Sequence, residues 1–299
     1  MTSRGGERSE LIVIGSMKTV TALTVVTVAL LVWFGTARQP FAATAAFIRR
    51  LFVSPAHLAF FMALLAILAS NKYELRLEAL LPVPADLTHT LAGWEGSWQG
   101  HLQRWLENPS LTLFCAFFYL VVFQGFMIAS LIVYTKAGNF KLYYALCAAL
   151  FLNYLIAVPF YLFVPVHEAW SVSSHIRFLM LDVFPSFETQ YRSLSGLDNC
   201  FPSLHTSISM TMALIALRSG SRRWAIFGSL NAAIVIFSIF YLGIHWATDM
   251  LAGLVLAFVA VAAGLKIGEW ADWSAKRLER QRRRLAKLKK ITTTRSTES

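Results

Sequence analysis

Seven apolar runs, each close to the length of a bilayer crossing, constrain this chain more than any other feature of its sequence. They occupy residues 19–34, 51–70, 111–134, 142–164, 203–218, 224–241 and 246–266. A helix needs about 20 apolar residues to traverse the hydrocarbon core, and inside it only a helix or a closed barrel satisfies its own backbone. Composition agrees: 57% of the 299 residues are hydrophobic and 14% are charged, with a mean hydropathy of +0.56. That leaves too little polar surface for a soluble globule. The expected fold is therefore all-α, a polytopic membrane helical bundle. A secretory signal is the competing reading of the first run, but no small-residue cleavage site follows it promptly. The cysteines Cys115, Cys147 and Cys200 are odd in number, and two lie inside apolar runs, so no disulfide framework is expected.

The loops assign sides. Segments 35–50, 135–141 and 218–223 carry three, two and three basic residues and no acid. Segment 71–110 has three basic against five acidic residues, and 165–203 has two against four. Under the positive-inside rule the first set is cytoplasmic and the second faces the other side. The N-terminus then lies outside and the C-terminus inside. The stretch 266–290, with ten Lys or Arg and three acids, reads first as a topology signal and second as an attraction to anionic lipid. Nucleic acid is not an expected partner, because no folded domain offers a basic face with stacking aromatics. Oligomeric state is not legible.

Two loop segments stand out. In 71–110, Trp94, Trp98 and Trp105 share helical spacing, which suits either a segment in the membrane interface or a loop packed on the bundle. The connection 165–199 is long for a helix-helix link and predicts a cover over a site. The expected organisation is 1–110, N-terminal spans with the Trp-bearing segment; 111–268, membrane-embedded core; and 269–299, basic tail.

Chemistry concentrates at the ends of the fifth and seventh runs. His245 and Asp249 are four apart, on one helical face. A carboxylate on one ring nitrogen leaves the other with a free lone pair, and an ionisable pair at the end of an apolar helix is a functional candidate. His205 follows Pro202-Ser203 at another helix start, where free amides and the helix dipole favour an anion. Antiparallel fifth and sixth runs bring His205 back to the His245 face. Two imidazoles, one acid and an anion-receptive helix start equip a site for phosphoryl transfer: one imidazole attacks phosphorus and the other protonates the leaving oxygen.

Pro202-Ser203-Leu204-His205 and His245-x3-Asp249 resemble the second and third signature motifs of the type 2 phosphatidic acid phosphatase superfamily. Phe-Pro-Ser-Leu-His-Thr with His-Trp-x2-Asp-Met-Leu-Ala-Gly is more similar to its inositol phosphorylceramide synthase branch. The resemblance covers residues 142–266 and implies six core transmembrane helices, here with an extra N-terminal span. It implies His245 as a nucleophile forming a phospho-histidine, Asp249 as its orienting partner, His205 as the acid for the leaving group, and Ser203 and Leu204 beside the phosphate. It implies no metal and no cofactor, and a lipid substrate drawn from the bilayer.

Two departures accompany it. The family's first motif is absent before the second, and Ile239 stands where the third has arginine, although Ser238 is in place. Arg192 is the expected substitute phosphate ligand, with Arg177 and His167 as further candidates. These departures and the Ser-Leu-His form favour headgroup transfer, with lipid phosphate hydrolysis by the same site as the alternative and a non-enzymatic transporter or scaffold as the third reading. A metal on His205, His245 and Asp249 and a Ser203 nucleophile are weaker readings. There is no P-loop or dinucleotide fingerprint.

Overall fold

A computed structural model of the chain describes residues 14–78, 80, 86–96, 98–192 and 196–297. The polar start at 1–13, where the charged region of a signal would fall, lies outside the described residues. In chain order the helices are α1 (Met17–Thr36), α2 (Pro40–Val53), α3 (Pro55–Glu78), α4 (Thr88–Glu95), α5 (Trp98–Leu106), α6 (Pro109–Phe117), α7 (Phe123–Lys136), α8 (Phe140–Phe163), α9 (Ala169–Val172), α10 (Phe187–Gln190), α11 (Leu204–Ala216), α12 (Arg222–Tyr241) and α13 (Ala247–Thr297). The expected all-α bundle is what the chain forms. Among the described residues five helices are long and apolar enough to cross a membrane, counting α6–α7 as one, and a sixth span arises if the bent pair α2–α3 is one.

Short polar residues set the starts. Ser16, Asn108, Asn139, Ser203 and Ser221 each accept a backbone N–H of the helix they precede, satisfying donors that a helix start leaves unpaired.

The second run departs from expectation. Residues 40–50, read as part of a loop, form one helix with 51–53, read as the start of the run, and the chain bends by 104° at Ser54–Pro55. Proline disfavours a helical conformation in the residue before it; Ser54 is accordingly extended, at φ −117 and ψ 106. Its amide closes α2 on the Arg50 carbonyl and its hydroxyl accepts from His57 N to start α3. His57 itself is a packing residue, stacked on Tyr143 with centroids 3.5 Å apart and bonded to Thr135.

Other boundaries shift. The third run extends over 109–136 and contains a π-helical turn at Phe118–Val122. The fifth yields only the 13-residue α11, which starts after the Ser203 cap and ends at Ala216, about 20 Å long. The seventh does not stop at 266 but continues as one helix through the boundary expected after 268. No proline interrupts it, and its later residues are mostly good helix formers.

The helices enclose two main apolar clusters. One centres on Trp224, Phe126, Tyr143 and Ile215. The other seals the opposite end, where Phe178, Leu179, Phe184 and Phe187 of the long connection cover Tyr119, Ile239 and Tyr241. The start of α1 reaches that second end, with Met17 N donating to Gln190 Oε1 at 2.8 Å and Ile14 N to the Val183 carbonyl at 3.3 Å.

The connection 165–199 does more than cover. Val166 N bonds the Asp198 carbonyl and Cys200 N the Val166 carbonyl, while Ala169 N and Trp170 N bond the carbonyls of Ile244 and Gly243. One extended stretch thereby ties the segment before His205 to the segment carrying His245.

Candidate active site

His245 is placed by the turn that ends α12. Gly243 has φ +82, a left-handed conformation that favours glycine, and a Cβ there would lie 2.4 Å from the Arg177 carbonyl oxygen. Beyond this turn Ile244 N and His245 N both donate to the Ile239 carbonyl, at 2.9 and 3.2 Å. Asp249 follows in the first turn of α13, fully buried. Its Oδ2 accepts from Trp246 N at 3.0 Å and sits 3.4 Å from His245 Nδ1. That last separation is long for a hydrogen bond, and catalytic contacts are often loose until substrate binds. The Asp249 side chain therefore holds the helix start and the imidazole together.

The two motifs touch directly. Ser203 N donates to the Asp249 carbonyl at 3.1 Å. One turn on, a Cβ at Gly253 would stand 2.6 Å from the Ser203 carbonyl oxygen, so a residue read only as a small packing contact is required for this approach. Ser203 is buried and its Oγ caps α11 by accepting from Thr206 N at 3.3 Å, which occupies the hydroxyl structurally. The amides of Leu204 and His205, at the open start of α11, have no hydrogen-bond partner among the described residues.

His205 is oriented by aromatic stacking. Its ring lies on Tyr119 at 4.0 Å and 18°, with Phe123 at 4.9 Å. Tyr119 comes from the π turn, a feature frequent at functional sites. The His205 and His245 rings are 6.3 Å apart between centroids, too far to bond each other and close enough to flank one phosphoryl group. Both line a cavity of about 430 Å³, with Leu204, Cys200, Glu168 and Tyr154 in its wall. Leu68, Met127 and Ile128 extend the wall along the helices.

No Lys or Arg lines this cavity among the described residues. Arg192 lies behind the wall. It gives two hydrogen bonds to Glu168, at 2.8 and 3.0 Å, and two to Glu188, at 3.0 and 2.7 Å, with its guanidinium over Phe187 and Phe178. Arg177 is paired with Glu107 and Asp182, and His167 bonds Thr88 at 3.1 Å. Each residue expected to replace the missing cations is thus engaged elsewhere. Burial pushes the Cys200 thiol well above its usual range, with the Asp249 and Glu168 carboxylates adding to the shift, so at neutral pH this cavity residue is a thiol and not a thiolate.

Residues 86–263 match the family model described as the PAP2 superfamily. The chain belongs to that superfamily. It is an integral membrane protein with the helical PAP2 fold, an enzyme of the phosphatase or phosphotransferase kind. No curated protein and no solved structure gives a match. The PAP2 match begins at residue 86, well before the first position that motif resemblance reaches, and so takes in α4 and α5.

Those two short helices hold residues that sequence reading passed over. Glu95 accepts from Ala247 N, Thr248 N and Thr248 Oγ1 at 2.6–2.7 Å, closing the start of α13. Gln99 Nε2 donates to the His245 carbonyl at 2.9 Å, and Gln103 Nε2 to the Tyr241 carbonyl at 3.0 Å. Trp94 and Trp105 point outward, 76% and 83% exposed, while Gln99 and Gln103 are buried. The available signal was the four-residue spacing of Glu95, Gln99 and Gln103, one position after Trp94 and Trp98 and hidden by reading the aromatics alone. Glu95→Ala leaves the α13 start uncapped, at a cost of about 1–2 kcal/mol. It is expected to lower kcat about tenfold with KM little changed, Glu95→Gln falling between; steady-state kinetics in detergent checks this.

Proposed function

We propose that this protein is a lipid phospho-headgroup transferase of the inositol phosphorylceramide synthase type, working through a phospho-histidine. The observation that carries the reading is two imidazoles flanking a cavity whose wall, among the described residues, offers a carboxylate, Glu168, and no cation. A phosphomonoester brings up to two negative charges into such a low-dielectric space and a phosphodiester brings one, and uncompensated charge there is costly. A diester donor is therefore the better tenant.

In the first step His245 Nε2 attacks phosphorus and the bond from phosphorus to the diacylglycerol oxygen breaks. His205 protonates that oxygen, leaving the phospho-headgroup on His245. Asp249 accepts from Nδ1–H, keeps the Nε2 lone pair directed into the cavity and stabilises the positive charge that develops. The free amides of Leu204 and His205, at a helix N-terminus, face the growing charge on the phosphoryl oxygens. In the second step His205 takes the proton of the acceptor hydroxyl, that oxygen attacks phosphorus and the bond to His245 breaks. Arg192, expected to bind phosphate, acts here through Glu168 on the cavity wall.

The apolar extension at Leu68, Met127 and Ile128 supports lateral entry of donor and acceptor lipid from the bilayer. The basic loops 135–141 and 218–223 join helices at the end away from the site, which supports a non-cytoplasmic site and a cytoplasmic C-terminus. The basic tail would then meet anionic lipid of the inner leaflet.

The test uses purified protein in detergent with phosphatidylinositol labelled in its phosphoinositol headgroup, given water alone or with ceramide or diacylglycerol, beside His245→Ala. Label moving intact onto the added alcohol, and lost in the variant, is the expected result. Free phosphate from phosphatidic acid or a polyprenyl phosphate, with no transfer to alcohol, replaces the reading by lipid phosphate hydrolysis. No turnover over a broad lipid panel sinks both.

A further inference from the structure

Cys200 has no part in the mechanism above, yet it lies beside the residues that do. Sγ of Cys200, a ring nitrogen of His245 and a carboxylate oxygen of Asp249 all lie within 4.8 Å of one another, and all three residues are buried. Two groups in this cluster are short of partners. Asp249 Oδ1 is buried with no hydrogen bond, and the Cys200 thiol makes only a 3.8 Å contact with the Ile244 carbonyl. Among the described residues no other group of three such side chains converges in this way.

We propose that Cys200, His245 and Asp249 form an inhibitory binding site for a thiophilic divalent cation such as Zn2+. Thiolate, imidazole and carboxylate are zinc's usual ligands, whereas Mg2+ and Ca2+ prefer oxygen alone. Bond lengths of 2.0–2.3 Å put the ligands of a tetrahedral zinc about 3.5 Å apart, so the cluster has to close by about 1 Å. Rotation of the Cys200 side chain supplies movement of that size. The fourth position opens on the cavity, which Cys200 and His245 both line, leaving room for water. Binding displaces the thiol proton to solvent. One thiolate, one carboxylate and Zn2+ then sum to zero charge, the state that a buried site tolerates best.

Inhibition follows from the imidazole. With zinc on Nδ1, the single proton of the neutral ring moves to Nε2, and the lone pair needed for attack on phosphorus is gone. With zinc on Nε2, that lone pair is occupied directly. The inhibition rests on the assignment of His245 as nucleophile; the binding rests on geometry alone.

The full-length protein in detergent is titrated with Co2+ and Zn2+, reading three signals. Co2+ is expected to produce a thiolate-to-metal charge-transfer absorption at one equivalent, absent in Cys200→Ser. Zn2+, and not Mg2+, is expected to protect Cys200 of the unmodified protein from a membrane-permeant maleimide, read by mass spectrometry. Saturating Zn2+ is expected to reduce turnover by at least about a hundredfold and towards the level of His245→Ala, reversed by chelator, while Cys200→Ser keeps most of its own metal-free rate. A missing charge-transfer band with an unprotected thiol overturns the site, a result that does not depend on whether the serine variant folds. Bound metal with turnover untouched overturns the inhibitory half, and with it the nucleophile assignment.

Discussion

His245→Ala is expected to lower headgroup turnover by about four orders of magnitude or more, since loss of a covalent nucleophile leaves only binding and charge stabilisation. The variant should fold, because the structural hydrogen bonds of His245 run through its backbone: its amide to Ile239 and its carbonyl from Gln99. Asp249→Asn is expected to cost roughly a thousandfold, since a neutral amide oxygen in the place of Oδ2, which faces both Nδ1 and Trp246 N, no longer stabilises the positive charge that develops on the ring. Asp249 also caps the α13 start through Trp246 N, so the asparagine, whose oxygen can keep that bond, separates catalysis from folding better than alanine does. Rapid quench in alkaline detergent with headgroup-labelled donor supplies the check. An acid-labile labelled protein should form in the wild type, form slowly in Asp249→Asn and not form in His245→Ala. Labelling of His245→Ala at the wild-type rate would place the nucleophile elsewhere.

Arg192→Ala is expected to destabilise the fold by about 3–5 kcal/mol, because it strands a buried carboxylate. The Glu168 side chain is 5% exposed and Arg192 16%, so neither is freely rehydrated when the other is removed. Glu168 also accepts from Trp170 Nε1 at 2.5 Å, and its backbone sits in the stretch that joins Cys200 to Ile244. Removing the guanidinium should thus loosen the cover over the cavity and lower the thermal midpoint in detergent. Adding Glu168→Gln should restore much of the loss, since the stranded charge is then gone. A rise in KM at an unchanged midpoint would instead make Arg192 the phosphate ligand that its place in the sequence first implies.

The helical framework was legible because the bilayer is a severe solvent. Apolar runs of spanning length admit one solution, and Ser or Asn before several of them marks the helix starts. His245 and Asp249 were legible together since four residues make one helical turn, and His205 through its place at a second helix start. Legibility failed where distant segments decide the outcome. The bend at Ser54–Pro55 lay in plain sight as a proline, but whether it ends a span or merely kinks one depends on what packs around Ser54 and His57. Arg192 was misjudged in its partner because Glu168, 24 residues earlier, reaches it only through the folded connection. Glu95 and Gln99 were missed for the same reason, acting on backbone groups 146 to 153 positions away.

By itself, then, the sequence determined the solvent in which this protein folds, the class of its fold and the three side chains that the fold brings together at one site. Those follow from local spacing and from the cost of exposing polar backbone to hydrocarbon. The tertiary structure alone decided which cations are spent in ion pairs, how the two motifs bond through Ser203 and Asp249, and which carboxylate and buried glutamines hold the turn that carries His245. Each of these is a contact between segments far apart in the chain, and helical periodicity carries no record of it.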